Sequence, residues 1–324
     1  MALDAETREQ LIDTVRRFVA ERLRPLEAKV AEDDAMPADV VREMRELGLF
    51  GLSIPAEYGG LDLSMEDECL VAIELGRTSP AFRSTFGTNV GIGSQGLVMF
   101  GTPEQKQKYL PGIASGEIIT SFALTEPEAG SDSANVQTRA IRDGDAYVLN
   151  GAKRFITNAN KADLFTVMAR SDPAKPGAGG VSAFLVERQL PGLSVGKPEK
   201  KMGQQGAHIC DVIFENVRVP VENRLGQEGE GFKVAMQVLD RGRLHISAVC
   251  IGVAERLIKD CVAYMSERKQ FGQALSQFQL LQGMIADSKT ESLAAMDSVL
   301  ESAIMPCSSW KLLSAWPNCL RSPM

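Results

Sequence analysis

The sequence holds no apolar run near the roughly 18 residues that a membrane-crossing helix needs. It has only two histidines, His208 and His245, and its six cysteines never stand at C-x-x-C spacing. A zinc site is therefore not expected, no metal ligands are assigned, and reduced thiols in a cytosol-like compartment are the default reading. A surplus of positive charge is missing too: 35 Lys and Arg face 42 Asp and Glu, for a net charge of −7. That balance argues against a nucleic-acid binder, which shows a basic face. The first residues, Met1 to Leu23, are amphipathic but carry Asp4, Glu6, Glu9, Asp13 and Glu21. They fit neither an acid-poor transit peptide nor an apolar signal sequence.

What is present falls into three textures within 324 residues. Residues 1–118 read as helical. Leu11, Ile12, Val15, Phe18, Val19 and Leu23 recur at helix spacing, and Val40, Val41, Met44 and Leu47 repeat the pattern before Gly48. Thr102-Pro103-Glu104-Gln105 predicts a helix start with a capping box. Residues 119–228 read as a small antiparallel β domain. Its apolar runs are Val136–Ile141, Ala146–Leu149, Leu164–Ala169, Val181–Val186 and Val212–Phe214, with Asp143-Gly144 and Asn150-Gly151 as hairpin punctuation. Residues 229–303 return to helix. One long helix starts near Gly231, Phe271-Gly272 interrupts, and a second runs from about Ser276 to Ser302. A tail over 304–324 departs from this texture; Pro306–Met324 holds both tryptophans and shows no helical or strand period. The fold class is thus α+β multidomain: an N-terminal helical domain, a middle antiparallel β domain and an incomplete C-terminal helical bundle.

Several segments could carry chemistry. Gly91-Ile92-Gly93-Ser94-Gln95-Gly96 spells G-x-G-x-x-G, but no strand precedes it, so close helix packing is the expected use rather than nucleotide binding. Leu124-Thr125-Glu126-Pro127-Glu128-Ala129-Gly130-Ser131-Asp132 joins the helical region to the β domain; its tight turn offers free backbone N–H groups and hydroxyls to an anion. Phe155-Ile156-Thr157-Asn158-Ala159 puts an aromatic ring beside a small hydroxyl, a pairing suited to a planar ring with polar edges. Arg268-Lys269-Gln270-Phe271-Gly272, with Gln279 beyond it, could clamp a diphosphate. His208 and His245 are expected to be structural or surface histidines.

In this order, together with Lys201-Met202-Gly203 and Phe214-Glu215-Asn216-Val217-Arg218-Val219-Pro220, these segments resemble the acyl-CoA dehydrogenase family from the N-terminus to about Ser298. The resemblance implies FAD held between the β domain and a C-terminal four-helix bundle, in a homotetramer or homodimer. By matching positions, Phe122, Leu124, Thr125, Gly130 and Ser131 would face the flavin from one side and Phe155, Ile156 and Thr157 from the other. Arg268, Phe271 and Gln279 would reach the diphosphate and adenine part of a neighbouring subunit's FAD. Ser131, Asp240 and Arg243 would meet the acyl-CoA. The implied reaction is removal of two hydrogens across Cα and Cβ of an acyl-CoA thioester to give the 2-enoyl-CoA, with electrons passed to an electron-transfer flavoprotein. The implied location is cytoplasmic, or the mitochondrial matrix in a eukaryote. Two other functions fit the same fold: a flavin- or acyl-CoA-binding protein without turnover, and a flavin-dependent oxidase or monooxygenase.

The family's base is a glutamate in a late Tyr-Glu-Gly-Thr-like loop, or in some members a residue on the first long C-terminal helix. The loop sequence is absent here, as is the family's Gly-Gly motif, and the helix position matches Gly242. No catalytic residue is therefore assigned. The sequence reads as a C-terminally truncated or frame-shifted member with impaired activity. Leu293, Met296, Val299 and Leu300 are expected to lack the helices that would cover them.

Overall fold

The computed structural model describes residues 3–305. Seven helices come first: α1 (Ala5–Phe18), α2 (Glu27–Asp33), α3 (Ala38–Glu46), α4 (Met65–Gly76), α5 (Pro80–Val90), α6 (Gln95–Phe100) and α7 (Pro103–Ser115). The sequence signals for them act as expected. Gly48 has φ 70° after α3. The Thr102 hydroxyl accepts from the Gln105 N–H while the Gln105 amide oxygen accepts from the Thr102 N–H, closing the capping box. The apolar stripes of α1 and α3 meet in one core that includes Val15, Leu23, Val40, Met44, Leu75 and Phe82.

Eight strands follow: β1 (Thr120–Ala123), β2 (Arg139–Asp143), β3 (Ala146–Thr157), β4 (Leu164–Arg170), β5 (Val181–Glu187), β6 (Leu193–Val195), β7 (Ile209–Pro220) and β8 (Arg224–Leu225). They form one sheet in the order β6-β7-β3-β2-β4-β5-β8, with β1 against β4. Most neighbours are antiparallel, as the sequence predicts, but β1 and β2 each pair with β4 in parallel, so the sheet is mixed. Asp143-Gly144 makes the expected turn between β2 and β3. Asn150-Gly151 does not turn the chain. It lies inside β3, where Gly151 takes φ 148° at a register shift against β7, and a Cβ there would lie 2.6 Å from Thr138 Oγ1. The glycine signal is thus a bulge beside a close neighbour.

The chain then forms α8 (Gly231–Glu267), a short hairpin β9 (Lys269–Gln270) and β10 (Gln273–Ala274), and α9 (Gln279–Ile304). Phe271-Gly272 interrupts the helices as expected, both residues having positive φ at the hairpin tip. Alpha8 is held tightly on α4: a Cβ on Gly252 would lie 2.0 Å from the Ile73 carbonyl oxygen. Met296, Val299 and Leu300 of α9 pack on the core between α4 and α8 but stay only half-buried, and Leu293 is exposed. Among the described residues the C-terminal region has these two long helices and no further ones. The expected tail beyond Met305 lies outside the described residues. No helix is long and apolar enough to cross a membrane among the described residues, and none of their side chains cluster as a metal site.

Candidate functional site

Three clefts meet at Thr157, where the end of β3, helix α5 and helix α8 converge. The first, about 330 Å³, is lined by Phe122, Leu124, Thr125, Gly130, Phe155 and Ile156, with Ile92, Ser133 and Leu239 closing it. The second, about 340 Å³, shares Ile92, Thr157 and Leu239 and continues between α5 and α8 to Arg83, Gly87, Gly242 and Arg243. The third, about 400 Å³, opens from Ser84 and Thr157 toward Lys201, Gly203 and Gln204. Each falls in the range of about 300–1,000 Å³ typical of small-molecule sites.

Local backbone features aim the residues of the first cleft. Between Lys153 and Ile156 the β3–β7 register slips, and Phe155 takes φ 59°. A left-handed phenylalanine is strained and persists only where its surroundings enforce it. The slip turns Lys153 fully inward and leaves Phe155 half-exposed at the cleft, with the Arg154 guanidinium 4.9 Å from its ring centre. Asn158 follows with φ 61° and donates from Nδ2 to the Ser84 carbonyl at 2.8 Å and to Thr88 Oγ1 at 3.0 Å, fixing the strand end to α5.

The opposite wall is the loop after β1, and a buried ion pair sets it. Lys153 Nζ donates to Glu126 Oε1 at 2.6 Å and to the Leu124 carbonyl at 3.1 Å. The Glu126 carboxylate also accepts from the Gln137 and Thr138 backbone N–H groups. The Arg154 N–H donates to the Thr125 carbonyl at 2.8 Å. Burial pulls the Lys153 ammonium down to about 8 against the pull of Glu126. Burial alone would raise the Glu126 carboxyl, but Lys153 and the hydrogen bonds hold it below its ordinary value, so both are charged at neutral pH.

Seven of the residues singled out in the sequence therefore line one cleft: Phe122, Leu124, Thr125, Gly130, Phe155, Ile156 and Thr157. Ser131 is exposed beside Gly130 without lining it. Arg243 lines the second cleft and donates to Asp240 at 2.6 Å; Asp240 itself stands off the wall. Arg268, Phe271 and Gln279 are not brought to the clefts. They sit at the α8–α9 tip, with Phe271 94% exposed. His208 is structural, contacting the Asp34 carbonyl and Asn160. The G-x-G-x-x-G segment packs on the sheet rather than on a helix at Gly93: a Cβ there would lie 2.3 Å from Thr120 Oγ1 of β1, and the Gly93 carbonyl accepts from Thr166 of β4. Its Ile92 nevertheless reaches both clefts.

Sequence reasoning missed a buried charged group behind the second cleft. Glu68 on α4 accepts from Arg241 at 2.6 Å, and His245, also buried, touches Arg83 through Nδ1. Burial raises the Glu68 carboxyl to about 7 despite Arg241. Because the folded state holds this proton longer than the unfolded chain does, stability falls as pH rises between the two values. The wild type is expected to lose stability relative to Glu68→Gln from about pH 4.5 to 7, by on the order of 1 kcal/mol per pH unit, and to level off above. Chemical denaturation of both proteins across that range checks this; a pH-independent difference contradicts it.

A helical domain, a mixed sheet and two long helices, with three clefts meeting at Thr157, define an architecture that family comparisons then identify. The family models for the acyl-CoA dehydrogenase N-terminal, middle and C-terminal domains match residues 5–117, 121–217 and 229–307. The short-chain-specific acyl-CoA dehydrogenase of Clostridium acetobutylicum is 40% identical over 299 residues, covering 92% of this chain and 76% of that protein. The structure of butyryl-CoA dehydrogenase from Megasphaera elsdenii superposes with a TM-score of 0.88 at 33% identity, covering 95% of this chain and 80% of the other. An acyl-CoA dehydrogenase from Bacillus anthracis complexed with FAD gives 0.86 at 34% identity, covering 98% and 53%. The chain belongs to the acyl-CoA dehydrogenase family, a family of oxidoreductases.

Proposed function

We propose that this protein binds FAD in the cleft between the β1 loop and the end of β3, and an acyl-CoA thioester in the adjoining cleft between α5 and α8. The observation that carries the reading is the junction at Thr157, where each of two facing walls offers apolar faces and a threonine hydroxyl without a protein partner. The residues fit a flavin. Phe122, Leu124, Phe155 and Ile156 supply flat apolar surface, and the Thr125 and Thr157 hydroxyls make no hydrogen bond among the described residues. When bound, FAD supplies the two-electron acceptor for α,β-dehydrogenation, chemistry that belongs to the cofactor rather than the chain.

This chain's residues place and desolvate. Lys153 and Glu126 fix the loop that carries Leu124 and Thr125. Ile92 and Leu239 stand where the two clefts meet and keep water from the reacting carbons. Arg243 and the exposed Ser131 lie where the CoA part would leave. Arg268, Phe271 and Gln279, turned outward at the hairpin tip, would serve the FAD of a second copy, which makes a homo-oligomer part of the reading. An electron-transfer flavoprotein is the partner that the family resemblance implies.

A second reading has its own observation. No aspartate or glutamate lines the second cleft among the described residues, and the position that the family resemblance gives to the base in some members is matched by Gly242 on that wall. A binding protein without turnover fits that wall. Anaerobic addition of a saturated acyl-CoA to the FAD-loaded chain separates the two. Bleaching of the visible flavin band supports dehydrogenation; a shifted band that never bleaches supports binding alone; no spectral response contradicts both.

A further inference from the structure

We infer that Asn158 is a positioning residue that couples the two proposed ligand sites: its side-chain amide fastens the end of β3, which carries Thr157, to α5, which walls the acyl-CoA cleft. This rests on the FAD and acyl-CoA readings of the first and second clefts, which share Ile92, Thr157 and Leu239. A ligand in one cleft therefore abuts a ligand in the other. Their register depends on how firmly Thr157 is placed against α5.

The sheet holds Thr157 from behind. Its carbonyl accepts from Ser121 Oγ at 2.7 Å, and the next N–H, that of Asn158, donates to the His208 carbonyl at 2.9 Å. Neither bond reaches α5; the Asn158 amide does. It is buried, and its Nδ2 spends both hydrogens on α5, on the Ser84 carbonyl at 2.8 Å and on Thr88 Oγ1 at 3.0 Å, one helical turn apart. Ser84 and Thr88 both line the acyl-CoA cleft. Among the described residues no other hydrogen bond joins α5 to β3 or to the turn after it. The residue type does more than the turn requires. Asn158 has φ 61°, a conformation that glycine adopts freely and asparagine tolerates. Glycine would serve the turn; asparagine adds the two donors that make the bridge. Helix α5 does not depend on that bridge for its place in the fold. Asn89, on the same helix, accepts from the Thr120 N–H at 2.9 Å and donates to the Ile118 carbonyl at 2.7 Å. Losing the Asn158 amide would leave the helix docked and free its cleft-lining turn to shift. Such a shift matters, because a misplacement of about 1 Å between bound groups can cost about 100-fold in rate.

The test measures the FAD dissociation constant of the full chain without and with saturating 2-pentenoyl-CoA, a thioester already unsaturated between Cα and Cβ, so that no turnover intervenes. In the wild type the thioester is expected to tighten FAD binding at least about fivefold, and FAD to tighten the thioester by the same factor. Asn158→Gly keeps the backbone conformation and loses the amide. It should bind FAD alone within about threefold of wild type, while the coupling falls below about twofold. A merely structural role would weaken FAD binding alone, or lower the melting temperature, and leave the coupling factor intact. Thr88→Val removes one end of the bridge at nearly constant shape. It should lose part of the coupling and add nothing to Asn158→Gly in the double variant. Unchanged coupling in folded Asn158→Gly, additive losses in the double variant, or no coupling in a wild type that binds both ligands overturns the inference. A wild type that binds FAD but not the thioester overturns the acyl-CoA reading first, and the coupling with it. Should Asn158→Gly fail to fold, Thr88→Val and the wild-type factor still decide.

Discussion

Gly242→Glu is expected to raise the rate of acyl-CoA-dependent flavin bleaching by about 10²- to 10⁴-fold, the range a positioned general base contributes. Position 242 faces the second cleft near Ile92 and Leu239, and the wall holds no other carboxylate among the described residues. The substitution is sterically mild. A Cβ there would meet Ile92 Cγ2 at 3.2 Å, the end of a side chain that can yield by a few tenths of an ångström. Replacing glycine within a helix also favours the helix, by up to about 1 kcal/mol. Gly242→Gln is the control: it has nearly the same shape and no base, so it should stay as slow as the wild type. Stopped-flow bleaching under anaerobic conditions measures all three. Equal rates for Gly242→Glu and Gly242→Gln, with acyl-CoA bound in both, would show that position 242 does not reach the α-proton.

Lys153→Met is expected to destabilise the fold by about 3–5 kcal/mol, because it leaves Glu126 charged and buried without its partner. Lys153 is 0% exposed and Glu126 5%, so water cannot take over. The loss should also reach the cofactor cleft, since Lys153 holds the Leu124 carbonyl and Glu126 holds the backbone at 137 and 138. FAD affinity should therefore fall along with stability. The double variant Glu126→Leu/Lys153→Met removes the orphaned charge and should recover much of the stability. It should not recover the FAD affinity, because the tie to Leu124 stays broken. Urea denaturation and FAD titration of the three proteins check this. A Lys153→Met protein within about 1 kcal/mol of wild type would show that the pair is not the anchor of this loop.

The residues that line the first cleft were legible in the sequence and those that shape its neighbourhood were not, for a physical reason. Phe122, Thr125, Phe155 and Thr157 lie in short segments whose order along the chain marks the family. Turn and cap signals that act within a few residues, such as Thr102–Gln105 and Asp143-Gly144, also behaved as expected. Asn150-Gly151 misled because the choice between a turn and a bulge is made by Thr138 on the neighbouring strand segment and by β7, not by the dipeptide. Arg83 in Pro80-Ala81-Phe82-Arg83-Ser84 looks like a solvated helix position until α8 arrives with His245, more than a hundred residues later. Glu68 likewise meets Arg241 only across the α4–α8 contact. Pairing of charges across distant elements leaves no periodic trace.

FAD is expected to occupy the cleft between Gly130 and Phe155. Gly130 lines that cleft, and a Cβ built on it meets nothing within 4 Å, so a leucine there has room at the cleft wall. Fluorescence titration of FAD into wild type and Gly130→Leu, each verified as folded by circular dichroism, measures this directly. Saturable binding by the wild type and loss of at least about tenfold in affinity for Gly130→Leu is the predicted result. Equal FAD affinity in the two proteins, or no binding by the folded wild type, would contradict it.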